Sequence, residues 1–152
     1  MKQKLRSQSG MTLSELLVAV VILALLATAV GAGLPVALKA HEQVSVGSEA
    51  SVLCSTLATA ITAELRYAQN PDPETDCFDS TVYGAGVCVQ SDAGHVKIGG
   101  YELLSDLAYS SGLEAGATCN YDAGVFQVSV TVYSGGQQIR ATSFTVRPIN
   151  AA

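Results

Sequence analysis

A single carboxylate stands at the start of the longest apolar stretch of the chain. Glu15 follows the Ser-Gly-Met sequence of residues 9–11, and no charged residue occurs between Glu15 and Lys39. Residues 16–33 contain one polar side chain, Thr28. A carboxylate in a membrane helix costs up to about 2–3 kcal/mol at the helix centre and less near its end. An acid retained there is expected to have a function, and its available chemistry is pairing with a positive group in a low-dielectric setting.

A second group of acids lies between residues 72 and 79, namely Asp72, Glu74, Asp76 and Asp79. Oxygen ligands at alternate positions of a loop suit Ca²⁺. However, Cys77 occupies the position where a calcium loop would need glycine, and Pro71 and Pro73 are typical of a solvated loop. A solvated loop is therefore expected here, with calcium binding as the weaker alternative.

The other chemistry-bearing residues do not form the pattern of an enzyme. Neither His41 nor His95 lies near a convincing nucleophile or metal-ligand partner in the sequence. The Gly-Ala-Gly sequence of residues 84–86 lacks the remaining glycine and the following helix of a nucleotide-binding loop. The cysteines lack the two-residue spacing of zinc sites. We therefore expect no catalytic residue, no metal site and no cofactor.

The apolar stretch is long enough to predict a membrane-spanning helix. Its composition favours helix, and Gly31, Gly33 and Pro35 are expected to kink or loosen its outer end. The helical pattern then becomes amphipathic, and Asn70 with the two following prolines is expected to end it. One nearly continuous helix over residues 11–69 is predicted. Its amphipathic part carries an apolar stripe of Leu53, Leu57, Ile61 and Leu65, widened by Ala50, Cys54, Ala58 and Ala68.

The residues after the prolines have the composition of strands and turns. Apolar and polar residues alternate over residues 125–133, which predicts a half-buried strand, and residues 138–147 are expected to return beside it as a hairpin. Residues 81–90 and 95–98 are further strand candidates, while residues 101–109 are ambiguous between helix and strand. The predicted fold is α+β, with the apolar stripe of the long helix covering a small antiparallel sheet.

Charge predicts the orientation of the chain across the membrane. Lys2, Lys4 and Arg6 precede the apolar stretch without any acid, so residues 1–10 are expected to stay in the cytoplasm and everything after Lys39 to lie outside. The remaining chain is acidic, which argues against nucleic-acid binding. Cysteines outside the cytoplasm are able to form disulfides. Four cysteines allow three pairings, of which we favour Cys77–Cys88, a short loop, with Cys54–Cys119 joining helix to sheet.

The residues from Ser9 to Leu17 resemble the prepilin leader of type IV pilins and type II secretion pseudopilins. In that family a membrane aspartyl peptidase cuts after the glycine on the cytoplasmic side and usually methylates the new amine. The resemblance implies cleavage between Gly10 and Met11, which makes Glu15 the fifth mature residue, the hallmark glutamate of the family. Met11 replaces the usual phenylalanine. The similarity is specific over residues 6–34 and architectural beyond them.

The resemblance implies a structural subunit, and a minor pilin or pseudopilin is preferred to a major one. Its expected partners are other pilin subunits, prepilin peptidase, the membrane assembly platform with its cytoplasmic ATPase, and the lipid bilayer before assembly. After cleavage, Glu15 is expected to pair with the amine of a neighbouring subunit. The expected division of the chain is a leader (1–10), an assembly half of the helix (11–38), an amphipathic half (39–70) and a β-rich region (71–152).

Two other interpretations of the apolar stretch stay open from the sequence. An ordinary secretory signal would be cut near the Ala-Thr-Ala sequence of residues 27–29, but its apolar core is usually 7–15 residues long. A single-pass anchor that carries an extracellular binding module explains the apolar stretch. Neither interpretation gives Glu15 a role.

Overall fold

The long helix is the first element of the chain. The computed structural model describes residues 12–149. Helix α1 runs from Leu13 to Arg66 and has 54 residues. The prediction of one nearly continuous helix is confirmed within the described residues. The helix ends before Asn70, because residues 69–72 turn away to form a strand.

Pro35 lies inside α1, and the helix continues through it together with Gly31 and Gly33. A proline in this position removes one hydrogen bond to the carbonyl of Gly31, four residues earlier. Neither glycine approaches another part of the protein, since a Cβ added at either would meet no atom within 4 Å. The outer end of the apolar stretch therefore stays helical despite its composition.

Contacts divide the chain into two compact units, with the boundary between Gln43 and Val44. The described part of the first unit consists of the apolar portion of α1. The second unit contains the remainder of α1 and all of the described strands.

The described strands form three antiparallel sheets, each with three strands in sequential order. A 3₁₀ segment, Asp106–Gly112, separates the second sheet from the third. The strands are β1 (Gln69–Asp72), β2 (Cys77–Ser80) and β3 (Gly84–Val87) in the first sheet, β4 (Val89–Asp92), β5 (His95–Ile98) and β6 (Tyr101–Glu102) in the second, and β7 (Leu113–Asp122), β8 (Val125–Ser134) and β9 (Gln137–Val146) in the third.

The apolar stripe of α1 and the inner face of β8 belong to one hydrophobic core. The stripe residues Leu57, Ile61 and Leu65 are completely buried. On β8 the alternating residues predicted to face the core are buried, namely Phe126, Val128, Val130 and Val132. The predicted α+β fold, with the helix packed against small antiparallel sheets, is confirmed.

Several strand predictions need correction. The segment proposed as one strand over residues 81–90 is divided, because its first residues form a turn and the rest belongs to β3 and β4 in different sheets. The ambiguous segment 101–109 contains both β6 and the start of the 3₁₀ segment. Strand β7, which pairs with β8 along its whole length, was not predicted.

Candidate processing and assembly site

The carboxylate of Glu15 is held at the first turn of α1 by Thr12. The Thr12 N–H and hydroxyl donate to Glu15 Oε2 at 2.9 and 3.0 Å, and the Glu15 N–H donates to Thr12 Oγ1 at 3.3 Å. This reciprocal arrangement is a capping box, in which two otherwise unpaired N–H groups of a helix start are satisfied. The Thr-Leu-Ser-Glu sequence of residues 12–15 has the spacing that produces it.

The electrostatic setting of Glu15 combines a helix start with an uncharged neighbourhood. A negative charge at a helix N-terminus interacts favourably with the helix dipole. Glu15 carries the only charge within residues 12–38. Both hydrogen bonds that the Glu15 carboxylate accepts go to Oε2, and no described residue donates a hydrogen bond to Oε1. The second carboxylate oxygen is therefore available to a cationic group.

The helix that follows Glu15 exposes its large apolar side chains. Leu23 is 64% exposed and Val36 is 69% exposed. An 18-residue window of α1 has a mean hydropathy of 2.7 and none of it is buried, so α1 is long and apolar enough to cross a membrane. Thr28 satisfies its hydroxyl within the helix by donating to the Leu25 carbonyl at 2.8 Å. This surface suits lipid or the apolar surface of another helix rather than water.

Residues 5–31 match the prokaryotic N-terminal methylation motif, the prepilin-type cleavage signal of type IV pilins and pseudopilins. The chain carries a prepilin-type signal. This motif supports a type IV pilin-like or pseudopilin-like substrate. The family with this motif consists of structural subunits rather than enzymes. The motif and the apolar helix fit a membrane-anchored protein.

No curated protein and no solved structure matches this prepilin-type chain.

Of the predicted site residues, Gly10 and Met11 lie outside the described residues. The structure brings Glu15 together with Thr12, a partner that the sequence analysis did not identify although the Thr-x-x-Glu spacing of a capping box was present.

Three of the four acids proposed as weak calcium ligands, Asp72, Asp76 and Asp79, have structural partners. Asp72 accepts hydrogen bonds from the Glu74 N–H and the Thr75 hydroxyl at 2.9 and 2.7 Å, and these bonds lower its pKa. Asp76 accepts from the Tyr121 N–H at 2.7 Å. These four acids do not form a group of three convergent ligand atoms among residues 12–149.

Asp79 has a similar structural role on β2, the central strand of the first sheet. It accepts hydrogen bonds from the Asn70 side chain at 2.9 Å and the Gly86 N–H at 2.8 Å, which together lower its pKa. The expectation of a solvated loop over this segment is wrong in part, because β1 and β2 pair on either side of residues 73–76. The carboxylates hold the turns of this sheet in place.

One of the two favoured disulfides is present. Cys77 and Cys88 are joined, which links β2 to the connection between β3 and β4. The predicted Cys54–Cys119 pair is wrong, because both thiols are free. Cys54 Sγ faces the Val130 carbonyl oxygen at 4.0 Å, whereas Cys119 lies on β7 opposite Val128. Burial, together with a nearby Asp76 carboxylate, raises the pKa of Cys119 to about 12.

The sequence analysis also missed a cluster formed by His95, Glu102 and Asp106. These residues offer three possible metal-ligand atoms that all lie within 4.8 Å of one another. His95 and Glu102 flank the turn between β5 and β6, and Asp106 begins the 3₁₀ segment. Glu102 and Asp106 follow His95 by seven and eleven residues, a spacing that indicates no metal site unless the β5–β6 hairpin is known. The expectation that His95 has no metal-ligand partner was therefore made without this cluster.

Proposed function

We propose that the chain is the precursor of a structural subunit, most simply a minor one, of a type IV pilus or type II secretion-like filament. The observation that carries the proposal is the N-terminal methylation motif at the start of a helix whose large apolar side chains are exposed. Such a helix needs a bilayer before assembly and a core of neighbouring helices after it.

Processing is the first step of this function. Prepilin peptidase cleaves between Gly10 and Met11 on the cytoplasmic side, where Lys2, Lys4 and Arg6 hold the leader. Cleavage removes three positive charges and creates one, the amine of Met11, which the same enzyme then methylates. The chain after Lys39 lies outside the membrane, in a compartment that permits the Cys77–Cys88 disulfide.

The new amine gives Glu15 a partner. In a stack of staggered helices, the Glu15 carboxylate of one subunit pairs with the Met11 amine of its neighbour. The unshared Oε1 and the absence of other charges over residues 12–38 support this pairing. Inside a low-dielectric core, an unpaired charge is strongly unfavourable, so the pairing sets the register and drives recruitment of each subunit.

The outer half of α1 has a surface of hydroxyl and small side chains that supports packing against another helix. Three of its exposed hydroxyls are satisfied within the helix, since Ser55, Thr56 and Thr59 donate to carbonyls four residues earlier at 2.7–2.8 Å. A neighbouring helix is able to cover such a face without leaving a buried hydroxyl unpaired. The small side chains allow the backbones of two helices to approach closely.

Fractionation of cells tests this proposal. The full chain is expressed with a prepilin peptidase and filament assembly platform, and filaments are sheared from the surface or collected from the periplasm. We expect the protein in the filament fraction, and expect it to remain in the membrane fraction of an otherwise identical strain that lacks the peptidase. A protein that stays in the membrane fraction of both strains would instead be a single-pass anchored binding module.

A further inference from the structure

We propose that His95, Glu102 and Asp106 form a binding site for a divalent metal ion of the Zn²⁺ class. His95 Nδ1 lies 3.2 Å from Glu102 Oε1 and 3.8 Å from Asp106 Oδ1. One imidazole nitrogen and two carboxylate oxygens are a donor set that Zn²⁺ accepts, whereas Ca²⁺ prefers oxygen ligands alone. The site is independent of the prepilin-type segment.

The hairpin between β5 and β6 brings two of the three ligands together. Gly99 and Gly100 form the tight turn of this hairpin and both have positive φ, 58° and 85°. Residues with a side chain adopt such a backbone conformation only at an energetic cost. The register pairs Lys97 with Glu102, and the Leu103 N–H donates to the Val96 carbonyl at 3.0 Å. The backbone then turns back, so that the 3₁₀ segment presents Asp106 to His95.

The histidine ring is oriented before any ligand arrives. His95 stacks on the ring of Tyr109, with centroids 4.2 Å apart and an interplanar angle of 19°. Tyr109 is itself buried, and its hydroxyl accepts a hydrogen bond from the Val96 N–H at 3.2 Å. A metal ligand held in place by packing loses less conformational entropy when the ion binds.

The distances between the ligand atoms match those of a metal site. Tetrahedral zinc with bonds of about 2.0–2.2 Å places its nitrogen and oxygen ligands about 3.4 Å apart. The two observed separations, 3.2 and 3.8 Å, fall on either side of that value. His95 is 26% exposed, and Asp106 is 85% exposed. The fourth coordination position therefore faces solvent, where water or a ligand from another molecule completes it.

The charge around the cluster favours a cation. Lys97 pairs with Glu102 across the hairpin, but its Nζ lies 2.8 Å from Asp92 Oδ2, which already balances its charge. Glu102 and Asp106 thus bring two negative charges to the cluster, whereas His95 contributes at most one positive charge. A divalent ion bound there neutralises both carboxylates, whereas the alternative is a simple ion pair with a protonated His95.

Metal binding would connect the 3₁₀ segment to the β5–β6 hairpin. That segment carries Leu107 and Ala108, which line a groove shared with Val52 and Leu53 of α1. Leu107 is 89% exposed at its rim. Occupancy of the site is therefore expected to stiffen one wall of an apolar groove on the second unit.

Calorimetric titration with ZnCl₂ tests the site. The full chain is purified in detergent micelles, treated with a chelator and dialysed. We expect one equivalent of Zn²⁺ to bind and to raise the unfolding temperature. His95→Gln and Asp106→Asn are each expected to weaken binding by more than about tenfold, since even outer-shell substitutions cost 10–100-fold. His41→Gln, which changes the other histidine, is the matched control and should bind as the parent does.

Co²⁺ provides a second measurement that does not depend on stability. Co²⁺ in the parent protein should give the absorption bands of tetrahedral coordination, and Glu102→Gln, which keeps the shape of the side chain, should lose them. Zn²⁺ affinity that is unchanged in His95→Gln and Asp106→Asn, or no Zn²⁺ binding by the parent at millimolar concentration, would overturn the proposal and leave the cluster as an ion pair.

Discussion

Glu15→Ala is expected to insert in the membrane normally and to be lost from filaments. The substitution removes the carboxylate that pairs with the Met11 amine of the neighbouring subunit and leaves that amine uncompensated in an apolar core. Removing one partner of a buried ion pair costs about 3–5 kcal/mol. A loss of this size at a single subunit contact exceeds tenfold, so we expect incorporation to fall at least about tenfold. Immunoblots of sheared filament and membrane fractions measure both quantities.

Two further variants separate the charge of Glu15 from its capping bonds. Glu15→Gln keeps an oxygen that accepts the Thr12 N–H, as Glu15 Oε2 does at 2.9 Å, but carries no charge. Thr12→Ala keeps the charge and removes the hydroxyl that bonds to Glu15. We expect Glu15→Gln to fail as Glu15→Ala does, and Thr12→Ala to be incorporated at near-parental levels. Normal incorporation of Glu15→Gln would exclude the charge pairing and leave helix capping as the role of Glu15.

Leu57→Ala is expected to destabilise the second unit by about 2–5 kcal/mol, the usual loss when a buried leucine is truncated. Leu57 is completely buried in the stripe of α1 that belongs to the same core as β8. Truncation removes its apolar contacts and leaves a cavity, which a helix packed on a sheet is unable to close fully. Denaturant unfolding of the full chain in detergent, followed by near-ultraviolet circular dichroism of its six tyrosines, measures the change.

Val52→Ala is the matched control, since Val52 lies on the same helix but is 63% exposed. Its free energy of unfolding should change by no more than about 0.5 kcal/mol. Equal effects of the two substitutions would contradict the assignment of the Leu57 stripe as the core face of α1.

The elements with strong periodicity could be predicted from the sequence. The stripe through Leu57 and Ile61 repeats with the helical period, and residues 125–133 alternate with the strand period, so both faces were recognised. β7 was missed because its core face includes small residues, Ala115 and Ala117, which lack the β-branched pattern of a strand. β1 was missed because Pro71 suggested a loop, yet β1 lies at the edge of its sheet, where proline is tolerated.

The candidate sites also differed in how far the sequence could predict them. Glu15 stood out from the sequence because a charge in an apolar run is rare. The pairing of Cys54 with Cys119 depended on a strand that had not been predicted, and it was wrong. The convergence of His95 with Asp106 depends on the register of a hairpin and on the turn that follows it. Local periodicity predicts which face of an element is buried, whereas contacts between distant segments require the full topology.

The mass of the mature N-terminus tests the central claim most directly. The protein is isolated from cells that contain a prepilin peptidase, and its N-terminal peptide is identified by mass spectrometry. The account predicts a chain that begins at Met11, with a methyl group on the new amine. A chain that begins at Met1, or one that begins near Val30 as after ordinary secretion, would contradict it.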